Sequence, residues 1–235
     1  MRINKYLSAC ELGSRRKVEE FVLLGRVKVN GKVVTQLSFD VSDNDLVEFN
    51  NKVIKPQSKK VYLMLNKPKC YITSLKDEKD RRVVTDLLKN CKEKVFPVGR
   101  LDYNTEGLLL FTNDGVWANN IIHPSHHIPK TYEVKTKVEL LSKQIMQINN
   151  GIVLDGKKTL PARIKLIDFK DDFFVYNITI YEGRNREIRR MFEYINVKIY
   201  NLKRIKIGAL SLASLSEGKY KYLTEEEKLL VFMED

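Results

Sequence analysis

The chain has 235 residues, of which 43% are hydrophobic and 31% charged, and its formal net charge is +12. That length allows one or two domains with buried cores, and no apolar run reaches the roughly 18 residues that a membrane span needs. The positive charge favours nucleic acid as a partner over an anionic membrane surface, and over a basic surface with no specific partner.

The chain termini and cysteines indicate where the protein resides. The N-terminus has no apolar signal core followed by a small-residue cleavage site, so we expect a cytoplasmic protein that does not bind membranes. Cys10, Cys70 and Cys91 are odd in number and lack CxxC spacing. They predict reduced thiols rather than a disulfide framework or a zinc site.

Residues 1–50 are predicted to form a small module. A helix over Arg2–Cys10 precedes a second helix, which Ser14 caps and which ends near Leu24. Asn30-Gly31 then predicts a two-residue hairpin turn between short strands.

Two segments of this module resemble the RNA-binding domain named after ribosomal protein S-four. They are Ser14-Arg-Arg-Lys and Gly25-Arg-Val-Lys-Val-Asn-Gly. That domain binds structured RNA through phosphate contacts and shape. The alternative is an unrelated helix–hairpin unit with surface charge. The resemblance implies an RNA-binding surface formed by Lys5, Arg15, Arg16, Lys17, Arg26, Lys28 and Lys32.

A polar, basic stretch separates this module from the rest of the chain. Residues 51–60 lack hydrophobic periodicity and predict a tether. Residues 61–235 then form the second predicted domain.

The second domain is predicted to be an α+β unit centred on an antiparallel sheet. Its predicted strands are Val61–Leu65, Val95–Val98, Leu108–Phe111, Lys130–Thr136, Ala162–Phe169, Phe173–Tyr181 and Leu202–Gly208. Its predicted helices are Thr85–Lys89, a helix that Asp114 caps and that runs to Ile122, Leu140–Ile148, and a helix that Asn185 caps.

A polar loop between two predicted buried strands holds the first candidate catalytic residue. Gly99 and Gly107 bound this loop, which contains Asp102. A loop between buried strands can hold a reactive side chain rigidly. Local pattern alone favours an Asp102 that only pairs with Arg100 or caps the turn.

Three further patterns concern the site. Tyr132 shares a strand face with Val134 and is expected to point inward, as a core tyrosine would. The run of His123, His126 and His127 lacks nearby carboxylates or thiols at ligand spacing, so we predict a loop and no metal site. Four arginines crowd the start of the helix whose predicted buried stripe is Ile188, Met191 and Phe192, and they favour contact with phosphate or a buried carboxylate: Arg184, Arg186, Arg189 and Arg190.

Four segments in order extend the resemblance to nearly the whole chain. They are Leu65-Asn-Lys-Pro, Gly99-Arg-Leu-Asp-Tyr-Asn-Thr-Glu-Gly-Leu-Leu-Leu-Phe-Thr-Asn-Asp-Gly, Lys130-Thr-Tyr and Glu182-Gly-Arg-Asn-Arg-Glu-Ile-Arg-Arg. With the N-terminal module they resemble the bacterial rRNA pseudouridine synthases of the RsuA/RluB/RluE/RluF family. Within this family, the arginine-rich segment favours assignment to the large-subunit type B enzymes.

This resemblance implies an enzyme that isomerises specific uridines of ribosomal RNA, in 23S rRNA, without a cofactor or metal. It implies that Asp102 is the catalytic carboxylate for a flipped-out uridine, that Tyr132 packs on the base, and that Arg189 pairs with Asp102. It further suggests a monomer that binds ribosomal RNA or an assembling subunit. The implied RNA-binding residues of this domain are Lys67, Arg100, Asn104, Thr105, Lys130, Arg184, Asn185, Arg186 and Arg190.

Three alternatives remain from the sequence: a 16S rRNA synthase, a non-catalytic rRNA-binding or ribosome-assembly factor, and a DNA-binding regulator. The chain also departs from the family pattern, which commonly has glycine shortly after Lys-Pro. Here Lys69 and Cys70 follow Pro68. If that backbone is left-handed, Cys70 costs about 1 kcal/mol.

Overall fold

The computed structural model describes residues 1–57 and 59–234. Ser58, in the predicted tether, and Asp235, at the end of the predicted second domain, lie outside the described residues. The chain divides into two units, residues 1–60 and 61–235. Within the described residues, no helix combines the length and apolar character needed to cross a membrane.

Two helices and a small sheet form the first unit. The Ser14 side chain accepts a hydrogen bond from the backbone N–H of Lys17, which confirms the predicted cap. Val18 and Val22 of the second helix pack in one apolar core with Ile3 and Leu7 of the first. The elements are α1 (Ile3–Ala9), α2 (Arg15–Leu23), β1 (Val27–Val29), β2 (Lys32–Val33), β3 (Val47–Phe49) and β4 (Lys52–Val53), with sheet order β2-β1-β3-β4.

The predicted hairpin turn of this unit is confirmed. Asn30 and Gly31 have φ values of 50° and 77°, the left-handed backbone that a two-residue hairpin turn requires. Asn30 also accepts a hydrogen bond from the backbone N–H of Leu46 through its side chain. The turn is therefore tied to the segment that leads into β3.

The predicted tether is wrong over part of its length. Lys52–Val53 forms β4 and pairs with β3, and the carbonyl of Ile54 accepts a hydrogen bond from Tyr6 Oη. The cause is a second tight turn at Asn50 and Asn51, whose φ values are 52° and 63°. Asparagine tolerates this conformation, and the turn folds the chain back onto β3.

A single large sheet organises the second unit. Its strands are β5 (Tyr62–Lys67), β6 (Phe96–Val98), β7 (Glu106–Thr112), β8 (Lys130–Thr136), β11 (Arg163–Lys170), β12 (Phe173–Ile180), β13 (Asn201–Ile207), β14 (Leu210–Ser211) and β15 (Tyr220–Tyr222); β9 (Val153–Leu154) and β10 (Lys157–Lys158) form a separate hairpin. The main order is β11-β12-β8-β13-β7-β5-β15, with β14 beside β13 and β6 beside β7. Only the β13–β7 pairing is parallel within the described sheet.

Helices cover both faces of this sheet, so the predicted α+β class is confirmed. The helices are α3 (Gly115–Ile122), α4 (Ser142–Asn150), α5 (Glu187–Tyr194) and α6 (Glu225–Leu230), and the predicted helix at Thr85–Lys89 is a short 3₁₀ turn, Val84–Leu87. Leu109 and Phe111 of β7 pack in the core that includes α5, whereas Leu108 and Leu110 pack in the core that includes α3. Burial on both faces explains why β7 reads as a continuous apolar run.

Helix α5 begins later than the sequence predicts. Its stripe of Ile188, Met191 and Phe192 is buried as expected. The predicted cap at Asn185 is wrong, because the chain turns once more at Arg186, whose φ is 51°. The Glu187 carboxylate accepts a hydrogen bond from the backbone N–H of Arg184 at 2.8 Å. This bond gives a partner to a backbone donor in the turn before the helix.

Candidate active site

The polar loop between β6 and β7 holds Asp102 at the edge of the large sheet. The two strands pair antiparallel, so the loop returns on itself. Within it the backbone N–H of Thr105 donates to the carbonyl of Asp102 at 3.0 Å. Gly107, the second residue of β7, lies directly opposite Arg204 of β13. The loop therefore ends where the backbones of two paired strands lie very close together.

Asp102 lies in a cleft with a volume of about 260 Å³. The cleft is bounded by the Asp102 loop, the first residues of β8, the turn before α5, α5 itself and β13. Its charged and aromatic lining consists of Arg100, Asp102, Lys130, Tyr132, Glu182, Arg184, Arg186, Glu187, Arg189 and Arg204. Three segments far apart in sequence thus bring together the predicted Asp102, Tyr132 and Arg189.

Arg189 forms an ion pair with Asp102. Its Nε lies 3.9 Å from Asp102 Oδ2, and the side chains are 16% and 36% exposed, respectively. Its Nη2 donates to the carbonyl of Asn104 at 2.8 Å and to Thr105 Oγ1 at 3.2 Å. Burial lowers the pKa of Arg189, and the Asp102 charge opposes that shift. Arg189 therefore binds the loop backbone and at the same time faces the Asp102 carboxylate.

Lys67 supports the same loop from below. Its side chain is fully buried, and its Nζ donates to the carbonyls of Pro68, Asp102 and Thr105 at 2.9, 3.2 and 2.8 Å. Burial lowers its pKa to about 8. The predicted RNA-binding role of Lys67 is wrong, because all three of its possible donor hydrogens are used inside the protein.

Tyr132 is buried and faces the cleft, as its strand pattern predicts. Its cross-strand partner is Arg204, whose Nη1 lies 3.5 Å from Tyr132 Oη. The Arg204 side chain is also buried, and its Nε donates to the carbonyl of Leu108 at 2.7 Å. The sequence did not single out Arg204, although alternation along β13 places it on the same face as the buried Leu202.

Glu187 and Lys130 line the cleft together with the buried Arg204, and we call the part formed by these three residues its inner end. Burial raises the pKa of Glu187 to about 7. Burial, assisted by the Arg204 charge, lowers the pKa of Lys130 to about 8. The Nζ of Lys130 donates to the carbonyl of Ile128 at 2.7 Å. Glu187 was also missed, because nothing in its local sequence distinguishes a buried glutamate from the exposed ones around it.

Comparison with known proteins identifies this arrangement. Residues 61–194 match the family model for RNA pseudouridylate synthase, and residues 1–47 match the S4 domain. Ribosomal large subunit pseudouridine synthase B of Bacillus subtilis is 42% identical over 228 residues, which cover 96% of this chain and 93% of that protein. The chain belongs to the RNA pseudouridylate synthase family.

Two other relatives agree with this assignment. An uncharacterised RNA pseudouridine synthase of Aquifex aeolicus is 42% identical over 99% of this chain and 94% of its own length. The crystal structure of a pseudouridylate synthase matches with a TM-score of 0.70 and 32% identity, covering 98% of this chain and 99% of that one. The predicted family, its S-four-like module and the prediction of an enzyme are confirmed.

The remaining predicted RNA-binding residues of the synthase domain fall into two groups. Thr105 is buried, lines the cleft and accepts a hydrogen bond from Arg189 through its hydroxyl. Arg184 donates to Glu182 and to the carbonyls of Lys157 and Lys158, which engages its guanidinium within the protein. The other group is accessible or lies at the cleft: Arg100, Asn104, Asn185 and Arg186 are exposed, Lys130 is half-buried, and Arg190, also half-buried, pairs with Asp155 at 2.6 Å.

In the S4 module, the predicted RNA-binding residues lie mainly on the surface. Arg15, Arg16, Lys17, Arg26 and Lys32 are exposed, and Lys5 and Lys28 are half-buried. Arg26 also has a structural contact, since its guanidinium lies 4.8 Å from the Phe21 ring centroid and 4.9 Å from that of Phe49. The histidine run forms a short 3₁₀ turn, Pro124–His126, and the described residues contain no metal-binding cluster of histidine, cysteine and carboxylate groups.

Replacing Lys67 with methionine is expected to reduce the free energy of unfolding by about 3 kcal/mol. Methionine fills similar space but leaves three carbonyls without their donor. Chemical denaturation provides the measurement, with Lys69→Met as the control because the Lys69 side chain is 43% exposed. Equal stability losses in the two variants would show that the buried ammonium does not support the loop.

Glu187 is expected to make stability fall as pH rises from about 5 to about 8. Its folded pKa of about 7 exceeds the ordinary 4.5, so the folded state binds more protons in this window and loses that advantage as they dissociate. Glu187→Gln should remove a fall of roughly 3 kcal/mol. Unfolding measured at both pH values tests this, with the more exposed Glu193→Gln on the same helix as control; an unchanged pH dependence in Glu187→Gln would contradict it.

Cys70, two residues after Pro68, has a left-handed backbone with a φ of 63°. Cys70→Gly is therefore expected to raise the free energy of unfolding by up to about 1 kcal/mol. Cys70→Ala removes the thiol but keeps a Cβ, so it should give no such gain. Thermal melting of both variants separates backbone strain from thiol contacts, and a glycine variant less stable than the alanine variant would refute the strain.

Proposed function

We propose that this enzyme converts specific uridines of 23S ribosomal RNA into pseudouridine, with Asp102 as the catalytic carboxylate. The observation that carries the proposal is the cleft in which Asp102 lies beside Arg189 and shares the lining with Tyr132. The reaction breaks the N1–C1′ bond, turns the uracil and joins C5 to C1′. The C5 proton is lost and N1 gains one, so the product is an isomer of the substrate.

Asp102 can promote bond breakage in three ways. Its carboxylate can stabilise positive charge on the sugar, add covalently to C1′, or remove the C2′ proton to give a glycal; the first two resemble carboxylate chemistry in glycosidases. Each route needs an ionised, oriented carboxylate. Arg189 supplies a neighbouring cation and fixes the loop through the Asn104 carbonyl.

Tyr132 and the basic rim act on the RNA. In this proposal Tyr132 packs against the uracil and accepts the C5 proton late in the reaction. The target base must leave its helix or loop to enter the cleft, which costs a few kcal/mol. Exposed Arg100 and Arg186 at the cleft supply positive charge for the flanking phosphates. The S4 module adds further phosphate contacts through its exposed basic residues.

The choice of the large subunit rests on similarity. The Bacillus subtilis relative, named a large-subunit synthase, matches over nearly its whole length. Ribosomal RNA as the partner agrees with the S4 domain and with the net charge of +12. Cations on both units favour a polyanionic substrate.

Carbodiimide treatment followed by reverse transcription tests this function. Ribosomal RNA from a strain lacking the gene should lose one or a few stops in 23S rRNA, and the wild-type gene should restore them. Lost stops in 16S rRNA would instead support a small-subunit enzyme. If every stop persists while the purified protein still binds ribosomal RNA, the protein is a binding or assembly factor.

A further inference from the structure

Two cations at the inner end of the cleft have no role in the chemistry described above. Arg204 is 3% exposed, and its Nη2 has no hydrogen-bond partner among the residues that the structure describes. Its Nε and Nη1 are directed to the Leu108 carbonyl and to Tyr132 Oη. A buried donor without a partner is destabilising, so this guanidinium is built to receive an acceptor that the protein itself does not supply.

Lys130 strengthens the positive field at the same point. It contacts the carbonyl of Ile128 and lines the cleft with Arg204. Burial and, to a smaller extent, the Arg204 charge lower the pKa of Lys130, while the Glu187 charge raises it. The pKa of Glu187 is itself raised to about 7, so this carboxylate is only partly ionised near neutral pH. The inner end of the cleft is therefore incompletely neutralised, which favours an electron-rich ligand.

The isomerisation creates such a ligand. When N1–C1′ breaks, the bonding electron pair stays on the uracil and spreads over N1 and the O2 and O4 carbonyl oxygens. In the proposed function, Asp102 and its ion-pair partner Arg189 act on the sugar and not on the base. Arg204 lies beside Tyr132, with its guanidinium carbon 5.9 Å from the ring centroid. In the proposed function the uracil packs against that ring, next to the unpartnered donor.

We propose that Arg204, assisted by Lys130, donates hydrogen bonds to a uracil carbonyl oxygen and stabilises the negative charge on the base while it is detached from the sugar. The proposal rests on the proposed pseudouridine synthase function. The electron pair returns when C5 bonds to C1′, and neither cation transfers a proton. Arg204 is thus a catalytic residue, because fixed donors aimed at developing charge lower the barrier.

Single-turnover reactions on ribosomal RNA transcribed with uridine or with 5-fluorouridine test this role. Fluorine withdraws electrons, so 5-fluorouracil departs more easily and depends less on a protein donor. Nuclease digestion and chromatography measure how fast the starting nucleoside disappears. Arg204→Met should slow uridine consumption by about 100-fold and 5-fluorouridine consumption by less than about tenfold. Lys165→Met, an exposed change on β11, should leave both rates unchanged.

An equal loss with both RNAs would make Arg204 a structural support for Tyr132 and overturn the proposal, as would an unchanged uridine rate. Melting temperatures establish whether Arg204→Met folds. If it does not, Lys130→Met decides by the same comparison: a larger loss with uridine supports the proposal, and an equal or absent loss overturns it. Wild-type protein that forms no pseudouridine refutes the proposed function itself. An active wild type, an inactive Asp102→Asn and an unaffected Arg204→Met refute only this inference.

Discussion

Replacing Asp102 with asparagine is expected to reduce pseudouridine formation by about 10⁴-fold while ribosomal RNA binding stays within about threefold of wild type. Asparagine preserves the size and shape of the side chain. Because its side chain is a neutral amide, asparagine cannot stabilise a positively charged sugar, add covalently to C1′ as a carboxylate does, or remove the C2′ proton. All three routes open to Asp102 therefore fail together. Arg189 keeps its hydrogen bonds to the Asn104 carbonyl and Thr105, so the loop should keep its shape.

Tritium release from ribosomal RNA labelled at uridine C5 measures the reaction, and filter retention of the same RNA measures binding. Asp155→Asn makes the same chemical change at a side chain that is 81% exposed and pairs with Arg190. Because Asp155 does not line the cleft, this variant should release tritium at the wild-type rate. Release from Asp102→Asn at that rate would remove the carboxylate from the mechanism. Equal loss of binding and release would instead indicate a role in RNA recognition.

The features that the sequence predicts well depend on short-range patterns. The three-residue stripe of α5, the Ser14 cap and the Asn30-Gly31 turn each follow from residues within one turn or one hairpin. The inward face of Tyr132 follows from simple alternation along β8. The Asp102 loop could be placed because two apolar runs bracket it. Its proposed catalytic role came from the resemblance to the family motif, since an aspartate in a turn is common on local pattern alone.

The features that the sequence could not supply depend on contacts between distant segments. Lys67 reads as a surface cation because lysine is rarely buried, yet it contacts the carbonyls of Asp102 and Thr105, more than thirty residues away. Arg204 reaches the Leu108 carbonyl across 96 positions. That contact exists only because β13 lies parallel to β7, a pairing that an antiparallel expectation does not anticipate. Buried charge at the site is therefore a property of the fold.

Gly107→Ala is expected to reduce the free energy of unfolding by at least about 4 kcal/mol, beyond the range of ordinary substitutions. Gly107 has a φ of 104°, which disfavours any side chain, and an added Cβ would lie 2.2 Å from the carbonyl oxygen of Arg204. The obstacle is backbone and cannot rotate away. Strand β13 cannot retreat either, because it also pairs with β8 along most of its length.

Gly218→Ala separates the two causes of this loss. Gly218 has a φ of 75° but no heavy atom near the position of an added Cβ, so its substitution should cost only about 1 kcal/mol of backbone strain. Urea denaturation gives the free energy of unfolding of both variants. The difference between their losses measures the clash of the added Cβ with β13. Equal losses of unfolding free energy in the two variants would mean that β7 and β13 can move apart at little cost. A larger loss at Gly107, accompanied by slower pseudouridine formation in the folded fraction, would show that this close pairing of strands holds both the sheet and the Asp102 loop. Gly107 is the second residue of β7, directly after that loop.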